Sequence, residues 1–151
     1  MPQSYTQLLY HMVWSTKERQ PWLAEKVLRK RVHEYLGGAI RGEGGVALCI
    51  GGIEDHVHIL ARLRQDKAIS AVIGAVKANS CGWTHRTFPD LRAFTWQAGY
   101  SAFTVSKSQE KRVCRYIEGQ EEHHRHKPYH DELRALLDAH EIEYDETYLW
   151  D

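Results

Sequence analysis

Hydrophobic and polar positions change their period several times along the chain, and each change marks an element. Residues 5–14, Y-T-Q-L-L-Y-H-M-V-W, form a nearly continuous aromatic and apolar run that reads as a first strand, partly buried on both faces. Pro21 suits the first turn of a helix. Leu28, Val32, Tyr35, Leu36 and Ile40 then recur at helical spacing, with Lys26, Arg29, Lys30 and Arg31 on a basic outer face. Gly37, Gly38, Gly42, Gly44 and Gly45 follow; they fit neither glycine-rich phosphate-loop pattern and precede a strand, so they stop the helix and turn the chain. Residues 46–53 and 56–63 are strand-like, and the short link Glu54-Asp55 makes them an antiparallel hairpin.

Ile69, Val72, Ile73 and Val76 begin a second helix that runs to about residue 83. Residues 94–96 and 102–105 are short strand candidates within a turn-rich aromatic stretch. Ser106 and Gln109 have capping-box spacing and open a third helix that continues through His124. The order strand, helix, strand, strand, helix, strand predicts an α+β fold of the ferredoxin-like, split βαβ kind. An antiparallel sheet carries two helices on one face, and the third helix is separate.

With 151 residues, 42% hydrophobic and 26% charged, the chain fits one globular domain. Its apolar runs are too short and too charged for a membrane span, and no signal-like leader is visible, which excludes membrane, secreted and collagen-like classes and predicts a cytoplasmic address. Cys49, Cys81 and Cys114 are odd in number and far apart, so the sequence specifies neither a disulfide framework nor a thiolate zinc site, and a reducing compartment is expected. The formal net charge of zero hides an asymmetry. Residues 128–151 hold eight carboxylates against Arg134 alone, so residues 1–127 carry a balancing excess of seven positive charges. The chain thus divides into a basic body, 1–127, and an acidic C-terminal extension, 128–151. A polyanion partner for the body and two differently solvated surfaces explain that charge equally well.

His56 and His58, at i and i+2 on a predicted strand, project from the same face of the sheet. The pair suits a metal but needs a third ligand, and a polar strand half facing water would produce the same text. On the third helix Val113, Tyr116, Ile117 and Gln120 form an i, i+3, i+4, i+7 stripe. Tyr116 could bury its ring and wet its hydroxyl while Gln120 ends the stripe. Alternatively the phenol and the amide, one turn apart on one face, meet the histidine pair across the sheet.

The strand with E-D-H-V-H-I-L, the segment W-Q-A-G-Y-S-A-F-T-V and the helix with R-Y-I-E-G-Q-E-E-H-H resemble the single-tyrosine HUH transposases of bacterial insertion sequences, including the repeat-associated tyrosine transposases. The likeness runs from H-M-V-W-S-T-K to the terminal E-Y-D-E-T-Y-L-W. It implies that His56, His58 and Gln120 bind a divalent metal, magnesium or manganese, and that Tyr116 is the nucleophile. It also implies hairpin-bearing single-stranded DNA as substrate, a 5′-phosphotyrosine intermediate, and a homodimer in which the partner's tyrosine helix often completes each site. The enzyme would be associated with the nucleoid when bound to DNA. Lys77, Arg86, Lys107, Lys111, Arg112 and Arg115 are candidate contacts to the DNA backbone, with Trp83, Trp96 and Tyr100 as stacking surfaces. His123, His124, His126 and His130 read as a solvated helix end or DNA contacts, with a second metal site as the competing reading, and Leu133, Leu136 and Leu137 as a short helix docking away from the sheet, with the dimer partner as one surface. Two other readings are a domesticated, non-catalytic hairpin-binding protein and a small metallohydrolase that activates water with His56 and His58.

Overall fold

A computed structural model describes residues 2–149; Trp150 and Asp151, part of the terminal motif and of the acidic count, lie outside the described residues. Its strands are β1 (Leu9–Ser15), β2 (Val46–Gly52), β3 (His56–Arg62) and β4 (Ser101–Val105). Its helices are α1 (Lys26–Gly42), α2 (Ile69–Thr87), α3 (Glu110–Glu118), α4 (Gln120–His124) and α5 (Tyr129–Ala139). All strand pairs are antiparallel and the sheet order is β2-β3-β1-β4, which is the predicted split βαβ architecture.

Strand alternation decides what each face carries. Met12, Trp14, Val57, Ile59 and Ala61 pack with Val32, Leu36, Ile40, Val72, Ile73 and Val76 in the main core under α1 and α2. On the opposite face, Val13 and Phe103 pack under Tyr129, Leu133 and Leu137 of α5, while Leu9, Leu60 and Cys49 pack under Ile117 of α3.

Several local readings need correction. The first strand begins only at Leu9, and Tyr5 is exposed. Pro21 lies in the irregular link before α1, whose N-cap is Glu25, with its carboxylate accepting from the Val27 and Leu28 amides. Arg29 is buried rather than on an outer face: it donates to the Leu23 carbonyl and to Glu121. α2 runs on to Thr87. Residues 94–96 form no strand; Trp96 makes one isolated bridge with Thr16. Ser106 makes no side-chain cap; a 3-10 turn at Lys107–Gln109 precedes α3, and the predicted long third helix breaks at Gly119 into α3 and α4. The acidic extension folds back in cis over the sheet instead of docking elsewhere, because Tyr129, Leu133 and Leu137 find an apolar seat on Val13 and Phe103.

Cys49 and Cys114 form a disulfide between β2 and α3, with Cα atoms 5.8 Å apart, where the cysteine count specified none. Their 65-residue separation hid a proximity that exists only because α3 lies against β2. Cys81 is free.

Candidate active site

His56 and His58 leave β3 on the face away from α1 and α2, and both are fully buried. His58 pairs with Val13 and Gly51 in the neighbouring strands. Gly51 shapes what lies above. A Cβ there would overlap the carbonyl of Ile117, so only glycine lets α3 lie this close to the sheet. That approach, followed by the break at Gly119, delivers Tyr116 and Gln120 to the histidines.

Each clamp histidine is anchored through Nδ1 and turns Nε2 inward. His56 Nδ1 donates to Asp55 Oδ1 at 2.8 Å, and His58 Nδ1 is hydrogen-bonded to His11 Nε2 at 2.8 Å. Inward, His56 Nε2 is 3.1 Å from Gln120 Oε1, and His58 Nε2 is 2.9 Å from Glu132 Oε1. The Tyr116 hydroxyl donates to Glu132 Oε2, which also accepts from Gln120 Nε2 at 3.1 Å. His124 Nε2 reaches Gln120 Oε1 at 2.9 Å and Glu132 Oε1 at 3.1 Å. One chain therefore brings its own tyrosine to its own histidine pair.

The electrostatics follow from burial set against this network. Burial works against protonation of His56, but the carboxylates of Asp55 and Glu132 outweigh it and raise the imidazole to about 9. Burial pushes His58 down to about 4 and, with His58 beside it, pushes His11 down to about 3. Burial alone would raise the Glu132 carboxyl, yet its hydrogen bonds to His124, His56 and His58 hold it well below the usual carboxylate range. Burial and the adjacent Glu132 charge hold the Tyr116 phenol well above its ordinary value.

The donor set suits a divalent ion. Ligand atoms of His56, His58, His124 and Glu132 all lie within 4.8 Å of one another, with Gln120 Oε1 against both His56 and His124. Outward Nδ1 anchoring with inward Nε2 is the arrangement in which second-shell groups fix metal-binding imidazoles.

Sequence reasoning missed Glu132, Asp55 and His11, and considered His124 only as part of a separate histidine cluster. Glu132 was readable: Tyr129, Glu132, Leu133 and Leu136 follow i, i+3, i+4, i+7, which puts a carboxylate on an apolar stripe. His124 is not solvated, its side chain being 5% exposed, and His123 lies edge-on to Tyr116, whereas His126 is exposed.

The other candidates scatter. Lys107, Lys111, Arg112 and Arg115 are exposed around α3, and Arg86 is exposed at the end of α2. Lys77 is half-buried and donates to the Ala98 and Gly99 carbonyls. Trp96 is buried against Trp14, and the half-buried Trp83 stacks on Tyr35; Tyr100 is exposed.

Comparison with known proteins gives the family and supports the fold. The profile described as "Transposase IS200 like" matches residues 4–120, about three quarters of the chain. The chain belongs to the IS200-like transposase family. DNA transposition is the activity class that goes with that membership. A presumptive transposase from Deinococcus radiodurans R1 superposes with a TM-score of 0.64 at 25% identity, covering 80% of this chain and 96% of that one. A REP-associated tyrosine transposase bound to a REP hairpin shares the fold, with a TM-score of 0.55 at 14% identity over 78% of this chain and 68% of that one. No curated protein is significantly similar in sequence. The family match ends at Gln120, so His124 and Glu132 lie outside it. Among the described residues, no helix is long and apolar enough to cross a membrane.

Proposed function

We propose that this IS200-like transposase cuts and rejoins hairpin-bearing single-stranded DNA through a covalent 5′-phosphotyrosine on Tyr116, with His56, His58 and Gln120 holding Mg2+ or Mn2+. One observation carries the reading: the Tyr116 hydroxyl and the inward nitrogens of the histidine pair converge on the same buried carboxylate. The bound ion would polarise the phosphodiester and offset charge developing on its oxygens.

The chain's own groups supply the rest. A free phenol titrates near pH ~10 and is a weak nucleophile at neutrality. Here it is aimed by its hydrogen bond, and Glu132 Oε2 stands as acceptor for its proton as the oxygen attacks phosphorus. The P–O3′ bond breaks, the leaving 3′-oxygen takes up a proton from water to become a 3′-hydroxyl, and the phosphodiester energy is conserved in the P–O–Tyr link for rejoining. A cavity of about 590 Å³ bordered by His11, Phe103 and Tyr116 gives the strand room beside the phenol. A second, of about 470 Å³ beside Gln120, is lined by Lys26, Lys30 and Arg125, suited to backbone phosphates. The exposed Lys107, Lys111, Arg112 and Arg115 on and before α3, and Arg86 at the end of α2, would be further contacts to the backbone. The hairpin bound by the structural relative supports a hairpin substrate for this chain. The assembly in this proposal is a homodimer. Because Tyr116 already reaches its own clamp, the dimer would hold two DNA ends rather than exchange tyrosines. The site of action is cytoplasmic DNA.

The test uses an end-labelled hairpin oligonucleotide with Mn2+. Wild-type protein should form an adduct stable to denaturing electrophoresis, and Tyr116→Phe should lower its yield by at least about 10⁴-fold while hairpin binding persists. Adducts that survive in the variant overturn the assignment. A wild-type protein that binds hairpins without forming any adduct is the non-catalytic hairpin binder instead.

A further inference from the structure

We propose that Glu132, carried by α5 beyond the family-matched segment, is a fourth protein ligand of the divalent ion, so that the C-terminal extension completes the metal centre. The inference rests on the reading of His56, His58 and Gln120 as the other ligands.

Glu132 is 1% exposed, on a helix seated on the sheet by Tyr129, Leu133 and Leu137. Its Oε1 lies 2.9 Å from His58 Nε2 and 3.5 Å from His56 Nε2, on the side to which both imidazoles turn. Burying a carboxylate costs several kcal/mol, a cost that a bound cation at this point would offset. The donor chemistry points the same way. Two imidazoles and one amide offer an ion no negative charge and a single oxygen, whereas magnesium and manganese favour carboxylate oxygens. Glu132 supplies the missing charge from Oε1 and leaves Oε2 to the Tyr116 hydroxyl and Gln120 Nε2. The same side chain would then fix the distance between the ion and the nucleophile. His124 competes for that place, but its Nε2 already meets the oxygens of Gln120 and Glu132 and its Nδ1 donates to the Lys127 carbonyl, so it is better placed to orient the two oxygen ligands.

Mn2+ affinity, read from the free-ion electron paramagnetic resonance signal, tests this in full-length protein carrying Tyr116→Phe to prevent turnover. Loss of a second-shell partner typically weakens metal binding about 10–100-fold. Adding Glu132→Gln should weaken Mn2+ binding at least that much, Glu132→Asp less, and His58→Ala more. If Glu132→Gln binds Mn2+ as tightly as its parent while His58→Ala does not, the proposal is overturned and the clamp reading stands. If neither change matters, both fall. A measurement independent of any variant's folding is the anomalous map of wild-type crystals soaked in MnCl2. A peak about 2.0–2.6 Å from a Glu132 oxygen supports the assignment. A peak on His56 and His58 with Glu132 more than about 3.5 Å away overturns it.

Discussion

Along β3 the side chains of Val57, Ile59 and Ala61 face α1 and α2, while those of His56, His58 and Leu60 face α3, α4 and α5. Neighbouring residues of one strand therefore live in different chemistries. The α1/α2 side is a hydrocarbon core whose large members, Trp14, Leu36, Ile40 and Ile59, are fully buried. The other side places three buried imidazoles, an amide and a carboxylate together, and each of them gave up water to be there. The contrast teaches a division of labour: nonpolar burial on one face stabilises the desolvation demanded on the other.

The largest expected effect breaks that division on its structural side. Ile59→Ala should cost about 2–5 kcal/mol in urea unfolding, because it opens a cavity between the sheet and its helices. Adduct yield per folded molecule should stay unchanged. His58→Ala, one residue earlier on the strand, should instead lower adduct yield by more than about 100-fold. An Ile59→Ala protein as stable as the wild type, or a His58→Ala protein with full yield, would show that the two faces are not separate in this way.

The same division explains what was legible in the sequence. The split βαβ order and the i, i+2 histidine pair are local patterns, and local periodicity survives folding. Tyr116 and Gln120 were legible as a helical pair, although their actual approach depends on Gly51 beneath α3 and on the break at Gly119, neither of which a helical stripe encodes. Glu132 was obscured by its surroundings: among the eight acids of the tail, any one carboxylate looks solvated, even at a position that shares the stripe of Tyr129 and Leu133. Arg29 and Trp96 were misplaced for the converse reason. A charge looks exposed and an aromatic next to a turn looks available until the Glu121 and Trp14 partners, remote in sequence, are seen.

Titration sharpens the comparison at an intermediate scale, since the strand residues packed under α1 and α2 include no imidazole. His11 and His58 are depressed to about 3 and about 4 from an ordinary 6.5, so the unfolded chain takes up their protons first as pH falls. Their contribution is complete above pH about 6.5 and is lost toward pH 4, on the order of 3 kcal/mol for each group. His56, raised to about 9, contributes fully below 6.5 and loses its contribution as pH rises through 9. Metal-free protein should therefore be most stable near pH 6.5 in urea titrations and weaken in both directions. His11→Asn should flatten the acid limb, whereas Ile59→Ala should lower the whole curve without changing its shape. A profile level from pH 4 to 7 would mean that the imidazoles are not desolvated in solution.

The smallest expected change in stability comes from Gly51→Ala, where the two kinds of effect should separate most clearly. The added Cβ would lie 2.9 Å from the Ile117 carbonyl carbon and closer still to its oxygen, and backbone cannot swing aside as a side-chain tip can. α3 must lift, at a cost of about 1–3 kcal/mol typical of overpacking. The Cys49–Cys114 bond and the Ile117 contact hold the helix on the sheet, so displacement rather than detachment is expected. Tyr116 is one residue from Ile117 and shares the shift. A misplacement of about 1 Å can cost on the order of 100-fold in rate, so adduct formation should fall far more than the melting curve suggests. Single-turnover rates measured beside urea unfolding decide the point. A rate loss no greater than the fraction unfolded would show that the height of α3 over Gly51 does not set the reach of the phenol.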